Sequence, residues 1–126
     1  MSNGKNDEGR GHYKLEAWKR ARELVLGVYR LTQSFPKEET FGLAAQLRRA
    51  AVSIPSNIAE GAARAGKREF AQFLNIARGS LSELETQLLI ATDLGYIKAD
   101  DPVFEVVDLV SRLVTGLRKS VMSNES

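Results

Sequence analysis

Apolar residues recur every three or four positions along most of the chain, and this spacing restricts the chain to a helical fold. The first stripe comprises Ala17, Ala21, Leu24, Val28, Leu31 and Phe35, widened by Trp18 and Val25, and it is closed by Pro36. The third and most regular stripe comprises Phe70, Leu74, Ala77, Leu81, Leu84, Leu88 and Ala91. Such spacings place side chains on one face of an α-helix, and no segment alternates as a strand would. The sequence therefore predicts an all-α protein.

The second stripe passes through an internal proline and comprises Leu43, Leu47, Ala50, Ile54, Asn57 and Gly61. Because its phase is unbroken at Pro55, we predict one helix, kinked at Pro55 and ending at Gly66. A fourth helix should start near Asp100, with Val103, Val106, Val110, Leu113 and Leu117 facing inward. Four helices with short connections predict an antiparallel, up-down-up-down four-helix bundle.

The bundle is expected to span residues 13–122, between a disordered polar tail over 1–12 and a disordered C-terminus over 123–126. A chain of 126 residues with 43% hydrophobic content suits one domain. No run approaches the roughly 18 apolar residues of a membrane helix, and the N-terminus lacks the apolar stretch of a secretory signal. We therefore expect a cytoplasmic protein.

Catalytic chemistry has few candidate residues. The chain has no cysteine and a single histidine, His12, so thiol nucleophiles, Cys/His zinc sites and a His-activated serine are not expected. Residues 61–68 nearly spell a phosphate-binding loop. However, Arg68 stands where Ser or Thr should hold magnesium, and the segment follows a helix where a strand is needed. The sequence predicts a protein that is not an enzyme and has no cofactor or metal.

Charge is unevenly distributed along the chain. Residues 1–80 hold 14 Lys and Arg against 8 Asp and Glu, whereas residues 81–126 hold 4 against 8. This asymmetry suits an anionic partner or head-to-tail self-association. The predicted nucleic-acid contacts are Lys19, Arg22, Arg30, Arg64, Lys67 and Arg68. The predicted subunit contacts are Leu26, Tyr29, Leu109 and Val114, although Leu26 and Tyr29 lie amid cations that would equally suit a nucleic-acid stacking platform.

Polar residues surround Pro55. A proline inside a helix frees the carbonyl of Ala51, and Ser53, Ser56 and Asn57 offer short side chains to the disturbed turn. If helices 2 and 3 form a hairpin, facing residue numbers sum to about 132, which sets Ser53 opposite Ser80. The same count predicts an Arg49–Glu83 pair. Because Asn57 lies on the apolar stripe with Glu60 beside it, and buried polar groups must be paired, we also predict a small network that joins Asn57, Glu60 and polar atoms of a neighbouring helix. A binding site at the kink is the alternative interpretation.

Three stretches together carry a family resemblance: "FGLAAQLRRAAVSIPSNIAEGAAR", "KREFAQFLNIARGSLSELETQL" and "DLGYI". Over about residues 13–97 they resemble the bacterial four helix bundle protein family, which includes proteins encoded in intervening sequences of 23S rRNA genes. That family is related to the accessory variability determinant of diversity-generating retroelements. The matching motif residues are Gln46, Arg48, Arg49, Ser53, Pro55, Ser56, Asn57, Glu60, Gly61, Gly79, Ser80 and Glu83, and none carries a catalytic role.

The resemblance implies a four-helix bundle that assembles into a ring-shaped homopentamer. For the retroelement relative it implies binding to nucleic acid and to a reverse transcriptase. We accordingly predict a non-enzymatic oligomeric scaffold or adaptor that binds RNA or DNA weakly, without sequence specificity, through a basic surface. The alternative is an accessory subunit that binds a reverse transcriptase and nucleic acid.

Overall fold

The computed structural model describes the backbone of residues 4–123 and the side chains of residue 14 and residues 16–123. Over this range the chain is all-α, as predicted, without strands. The helices are α1 Gly4–Thr32, α2 Leu43–Ala62, α3 Lys67–Asp93 and α4 Val103–Ser123, with a short 3₁₀-helix, Lys37–Glu39, after α1.

The first helix is longer than the sequence predicts. Residues 4–12, expected as a disordered tail, have helical backbone continuous with the rest of α1. An established helix gains one hydrogen bond for each residue it adds, so extension beyond the apolar stripe needs no core contact. Residues 1–3 and 124–126, which belong to the predicted disordered ends, lie outside the described range.

Each helix packs against two others. The α1 and α3 helices each contact α2 and α4, while the described residues show no α1–α3 or α2–α4 contact. The core between the helices is lined by one stripe from each, and every residue of the predicted α3 stripe is buried. This arrangement is compatible with a four-helix bundle.

The buried face of α4 differs from the predicted one. Its buried residues are Val103, Val107, Val110, Val114, Leu117 and Val121. Val106 and Leu113, predicted to face inward, are only half-buried. Because α4 carries two neighbouring apolar rows, spacing alone does not decide which row faces the core. The placement of Val114 outside the core as a subunit contact is wrong, since this side chain is fully buried.

The α2 helix runs without a break through Pro55, which lies buried inside it. The prediction that Ser53–Gly61 belongs to one continuous helix is therefore confirmed. The helix ends at Ala62, earlier than the predicted Gly66. Gly66 instead precedes α3, with an extended backbone.

Gly61 sets the approach of α2 to α3. A Cβ atom at this position would lie 2.7 Å from Cβ of Phe73 and 2.9 Å from Cδ1 of Phe70, closer than carbon atoms pack. A Cβ atom at Gly79, the other glycine of the family motif, would have no such neighbour within 4 Å in the described chain. Of these two glycines, only Gly61 is required for the close contact between α2 and α3.

One carboxylate joins two of the connections. Oε1 of Glu39 accepts the N–H of Leu43 at 3.0 Å, which satisfies one of the first donors of α2. Oε2 accepts a hydrogen bond from the Tyr96 hydroxyl at 3.0 Å, and the Tyr96 ring packs against Phe35 with centroids 5.1 Å apart. The connection after α1 therefore lies against the connection after α3.

Candidate nucleic-acid interface

The six predicted nucleic-acid contacts do not form one cluster. Lys19 and Arg22 are exposed on α1. Arg30, also exposed, lines a groove with Glu23 and Asp101, on the side of α1 that meets the start of α4. The carboxylates in that groove would repel a phosphate. Arg30 is therefore less suited to bind nucleic acid than the other predicted cations of α1.

The other three predicted cations lie at the end of α2 and the start of α3. Arg64 is exposed, forms an ion pair with Glu60 at 2.7 Å, and stacks over the Phe73 ring at 5.0 Å. Lys67 is half-buried and Arg68 is exposed in the first turn of α3. An exposed ion pair contributes little free energy, so Arg64 can exchange Glu60 for a phosphate at small cost.

A groove lies between the middle of α1 and the end of α2. It is lined by Lys14, Trp18, Ile58, Ala59, Ala62 and Ala63 and encloses about 360 Å³. The Arg22 guanidinium stacks over the Trp18 ring at 4.7 Å. Stacking on an aromatic face holds a guanidinium in place while leaving its N–H donors available to an anion.

A third arginine–aromatic pair, between Arg48 and Tyr29, was not predicted. The Arg48 guanidinium lies 4.7 Å from the centroid of the Tyr29 ring, and its Nε donates a 2.8 Å hydrogen bond to Oγ1 of the buried Thr32. Thr32 Oγ1 in turn donates to the carbonyl of Val28 at 2.8 Å. Tyr29 was interpreted as a subunit contact, but it is partly covered by Arg48 within its own subunit. The signal in the sequence was a threonine inside an apolar stripe, at a position where a polar partner is required.

Arg49 differs from its prediction. It is exposed and has no ion pair or hydrogen bond among the described residues, whereas Glu83 accepts a 3.4 Å hydrogen bond from Nε2 of Gln87 on its own helix. The sequence count placed Arg49 and Glu83 opposite each other, but both side chains point to solvent. Arg49 is therefore available to bind an anion, although the sequence predicted that it would be paired with Glu83.

The model for the family of 23S rRNA-intervening sequence proteins matches residues 13–116. The chain belongs to this family. The match extends the resemblance found in the sequence through most of α4. No curated protein shows significant similarity to the chain.

The polar motif around Pro55 forms a smaller network than expected. Nδ2 of Asn57 donates to the carbonyl oxygen of Ser53 at 2.8 Å and to its Oγ at 2.9 Å. Ser53 Oγ lies 2.8 Å from Oγ of Ser80, so one hydrogen bond joins α2 to α3. Glu60 is not a member, because it is exposed and paired with Arg64.

The remaining motif residues fall into two groups. Pro55 and Gly61 are buried in the core face of α2. The exposed members are Gln46, Arg49, Ser56, Glu60, Gly79 and Glu83. Ser53 also lines an open groove with Arg49 and Val52, so part of the motif is accessible from the surface.

The described residues show neither a membrane-spanning helix nor a cluster of metal ligands. No helix in the part of the chain that the structure describes is long and apolar enough to cross a membrane. Among these same residues, no group of three or more His, Asp or Glu side chains comes together as a metal site would require.

Leu26 and Leu109, two other predicted subunit contacts, differ in exposure. Leu26 is 54% exposed on α1, while Leu109 is half-buried on α4. Other exposed apolar side chains are Ile76, Leu89 and Ile90 on α3, which are between 43% and 52% exposed, and Leu94 directly after it, which is 54% exposed. The sequence did not indicate these exposed side chains, because the regular apolar stripe of α3 identifies only the face that is buried in the core.

Proposed function

We propose that this protein is a non-enzymatic, homo-oligomeric adaptor that binds single-stranded RNA or DNA weakly and without sequence preference. The observation that carries this proposal is the concentration of cations and aromatic rings along α1 and α2. Two arginine–aromatic pairs, Arg22 with Trp18 and Arg48 with Tyr29, flank grooves in whose lining no carboxylate occurs among the described residues. Cations on a rigid surface attract phosphates but do not read base edges, so the binding is electrostatic.

The test is RNA binding measured by fluorescence anisotropy between low and physiological salt. A variant with Lys19, Arg22, Lys67 and Arg68 changed to Glu should bind much more weakly than wild type. The matched control changes Lys37, Arg78, Lys98 and Arg112, four cations exposed elsewhere, to Glu, so both variants have the same net charge. Equal loss in both variants would mean that only net charge matters and would contradict a defined surface.

The homo-oligomer proposal is supported by exposed apolar side chains on two helices, α1 and α3, that do not contact each other. Leu26 is exposed on α1, and Ile76 and Ile90 are exposed on α3, while the described residues of these helices make no contact. A ring needs two different, complementary patches on each subunit, and a closed ring of five is the arrangement that the family resemblance favours. Repetition around a ring would strengthen weak contacts through avidity.

Light scattering tests the assembly. A pentamer of 13.9 kDa chains would have a mass of about 70 kDa. Changing Ile76 and Ile90 to Glu should lower this mass, whereas changing the exposed Ser82 to Glu should not. A wild-type mass near that of one chain at micromolar concentration would end the proposal.

If each subunit of a pentamer engages one or two phosphates, about 5 to 10 are neutralised, and log affinity should fall with log salt at a slope of roughly −3.5 to −7. A monomer would give a slope near −1. The salt slope therefore reports on binding and assembly together, whereas the mass reports on assembly alone.

We also propose an antiparallel, up-down-up-down order of the helices, with α2 bent at Pro55. The Ser53–Ser80 hydrogen bond and the Gly61–Phe70 contact support a reversal between α2 and α3, since the residue numbers in both pairs sum to about 132. The lost hydrogen bond of a proline inside a helix supports the bend. A crystal structure with a straight α2 axis would refute it.

The alternative role, as an accessory subunit of a reverse transcriptase, is supported by the family resemblance only. It predicts that the purified protein retains a reverse transcriptase on an affinity column in the absence of nucleic acid. Retention that requires RNA would favour the adaptor role, because the nucleic acid would then form the bridge.

A further inference from the structure

Phe41 is held in the solvent by the connection that carries it. Its side chain is 95% exposed, more than any other large hydrophobic residue of the described chain. Glu39 fixes this connection through its hydrogen bonds to the Leu43 N–H and the Tyr96 hydroxyl. The phenyl ring is therefore presented on an anchored segment, which reduces the entropy that a partner must remove on binding.

The ring borders a groove on α1 and α2. The groove encloses about 680 Å³, within the range of ligand pockets, and its lining includes Phe41, Tyr29, Arg48, Arg49, Val52 and Ser53. Arg48 is positioned by its Tyr29 stack and its Thr32 hydrogen bond, which uses only Nε. Two guanidinium groups with available terminal nitrogens thus lie beside an exposed aromatic ring.

The charge of the groove selects the class of occupant. Its lining residues include two arginines and no carboxylate. An apolar protein surface that covered them would remove two cations from water without supplying a counter-charge, which is costly. A nucleotide offers both a ring to stack on Phe41 and a phosphate for the arginines, which bind phosphate in a bidentate manner.

We propose that this groove binds one unstacked nucleotide of a single strand, with its base on Phe41 and its phosphate at Arg48 and Arg49. The inference rests on the proposed nucleic-acid function and adds a base contact to it. In a duplex the bases are stacked and paired, so the Phe41 contact discriminates single strands from duplexes. Because any base presents a flat face, the contact is tolerant of sequence.

The two halves of the groove have different salt signatures. Phe41→Ala should lower single-strand affinity about 5- to 150-fold, the effect of losing a stacked base, and leave the salt slope unchanged. Arg49→Gln should lower affinity and also reduce the slope by about 0.7 for each subunit that holds the strand. Met122→Ala and Arg112→Gln, at residues exposed elsewhere, are the matched controls and should change neither quantity.

The measurement uses the full chain and an oligonucleotide carrying the fluorescent base 2-aminopurine. We expect the fluorescence to rise on binding to the wild type, because the base leaves its neighbours in the strand, and to rise less with Phe41→Ala, while duplex affinity should be the same for both. If the wild type binds single strands and Phe41→Ala binds them equally well, the groove assignment is overturned while the proposed function stands. If the wild type fails to bind at low salt, both fall.

A third outcome identifies a different occupant. If Phe41→Ala lowers the mass of the assembly in light scattering before nucleic acid is added, Phe41 is a subunit contact and the groove assignment is wrong. Circular dichroism checks that the variant keeps its helix content, which is expected because the Phe41 side chain makes little contact with the core.

Discussion

The same substitution, glycine to alanine, should have opposite effects at two positions inside neighbouring helices. In both positions alanine stabilises the helix by about 1 kcal/mol, since it loses less conformational entropy on folding. At Gly79 the new methyl group meets no other part of the described chain, so Gly79→Ala should raise the free energy of unfolding by about this amount. At Gly61 the methyl group would lie 2.7 Å from Cβ of Phe73 and 3.2 Å from the Phe70 carbonyl oxygen.

These neighbours are close to or part of the α3 backbone, so they cannot move aside as the end of a flexible side chain would. Overpacking of this kind typically costs about 1–3 kcal/mol. Because the helix-propensity gain is common to both variants, the difference between their free energies of unfolding isolates this steric cost. We expect Gly61→Ala to be less stable than Gly79→Ala by about 1–3 kcal/mol.

Urea unfolding followed by circular dichroism measures this difference, with all samples at one protein concentration because oligomer stability depends on concentration. Equal stability of the two variants would refute the assignment of Gly61 as the contact point of α2 and α3. A loss of stability in Gly79→Ala that disappears on dilution would show instead that a second subunit approaches this glycine.

Three further predictions concern hydrogen bonds. Ser80→Ala removes the partner of Ser53 and should lower the free energy of unfolding by about 0.5–1.5 kcal/mol in urea; unchanged stability would mean that the bond contributes nothing. Asn57→Leu should keep the helix content and change the mass in light scattering, because Asn57 is half-buried in the polar network at the α2–α3 contact and polar groups at helix contacts can specify register; wild-type assembly would count against that role. The hydrogen bond to Glu39 raises the pKa of Tyr96 above 10.0. A raised folded-state pKa gives stability that is present below pH 10 and lost as the pH rises through the folded-state pKa, so Tyr96→Phe should flatten this alkaline loss in unfolding curves.

The sequence predicted the helices well because their core stripes are regular. The α3 stripe was correct throughout, and the unbroken phase around Pro55 correctly indicated one helix. The α4 face was misassigned because valine occurs in two adjacent rows, and packing against α1 and α3 chose the row that contains Val107 and Val114. Periodicity identifies a helix more reliably than it orients one with a broad apolar face.

The candidate site was less predictable because it depends on side-chain direction. Counting residues across the hairpin correctly paired Ser53 with Ser80, but the same count paired Arg49 with Glu83, whose long side chains turn to water. A short side chain near a helix contact has few other hydrogen-bond partners within reach. Long charged side chains lose hydration and rotamer freedom when they form an ion pair, so they can remain in solvent instead. The exposure of Phe41 depends on how its connection folds, which helical spacing does not address.

The connection between α1 and α2 and the turn between α2 and α3 should differ in their tolerance of inserted residues. The segment after α1 is fixed at Glu39 by two hydrogen bonds, so added residues there would detach the start of α2 from the Tyr96 loop. The turn over residues 63–66 is exposed, and a side chain at Gly66 would meet nothing within 4 Å. New chain termini, a peptide tag or a fluorescent domain should therefore be accepted between α2 and α3 with the fold retained. A reporter placed there would lie beside Arg64 and Lys67, where it could signal the arrival of a nucleic-acid strand.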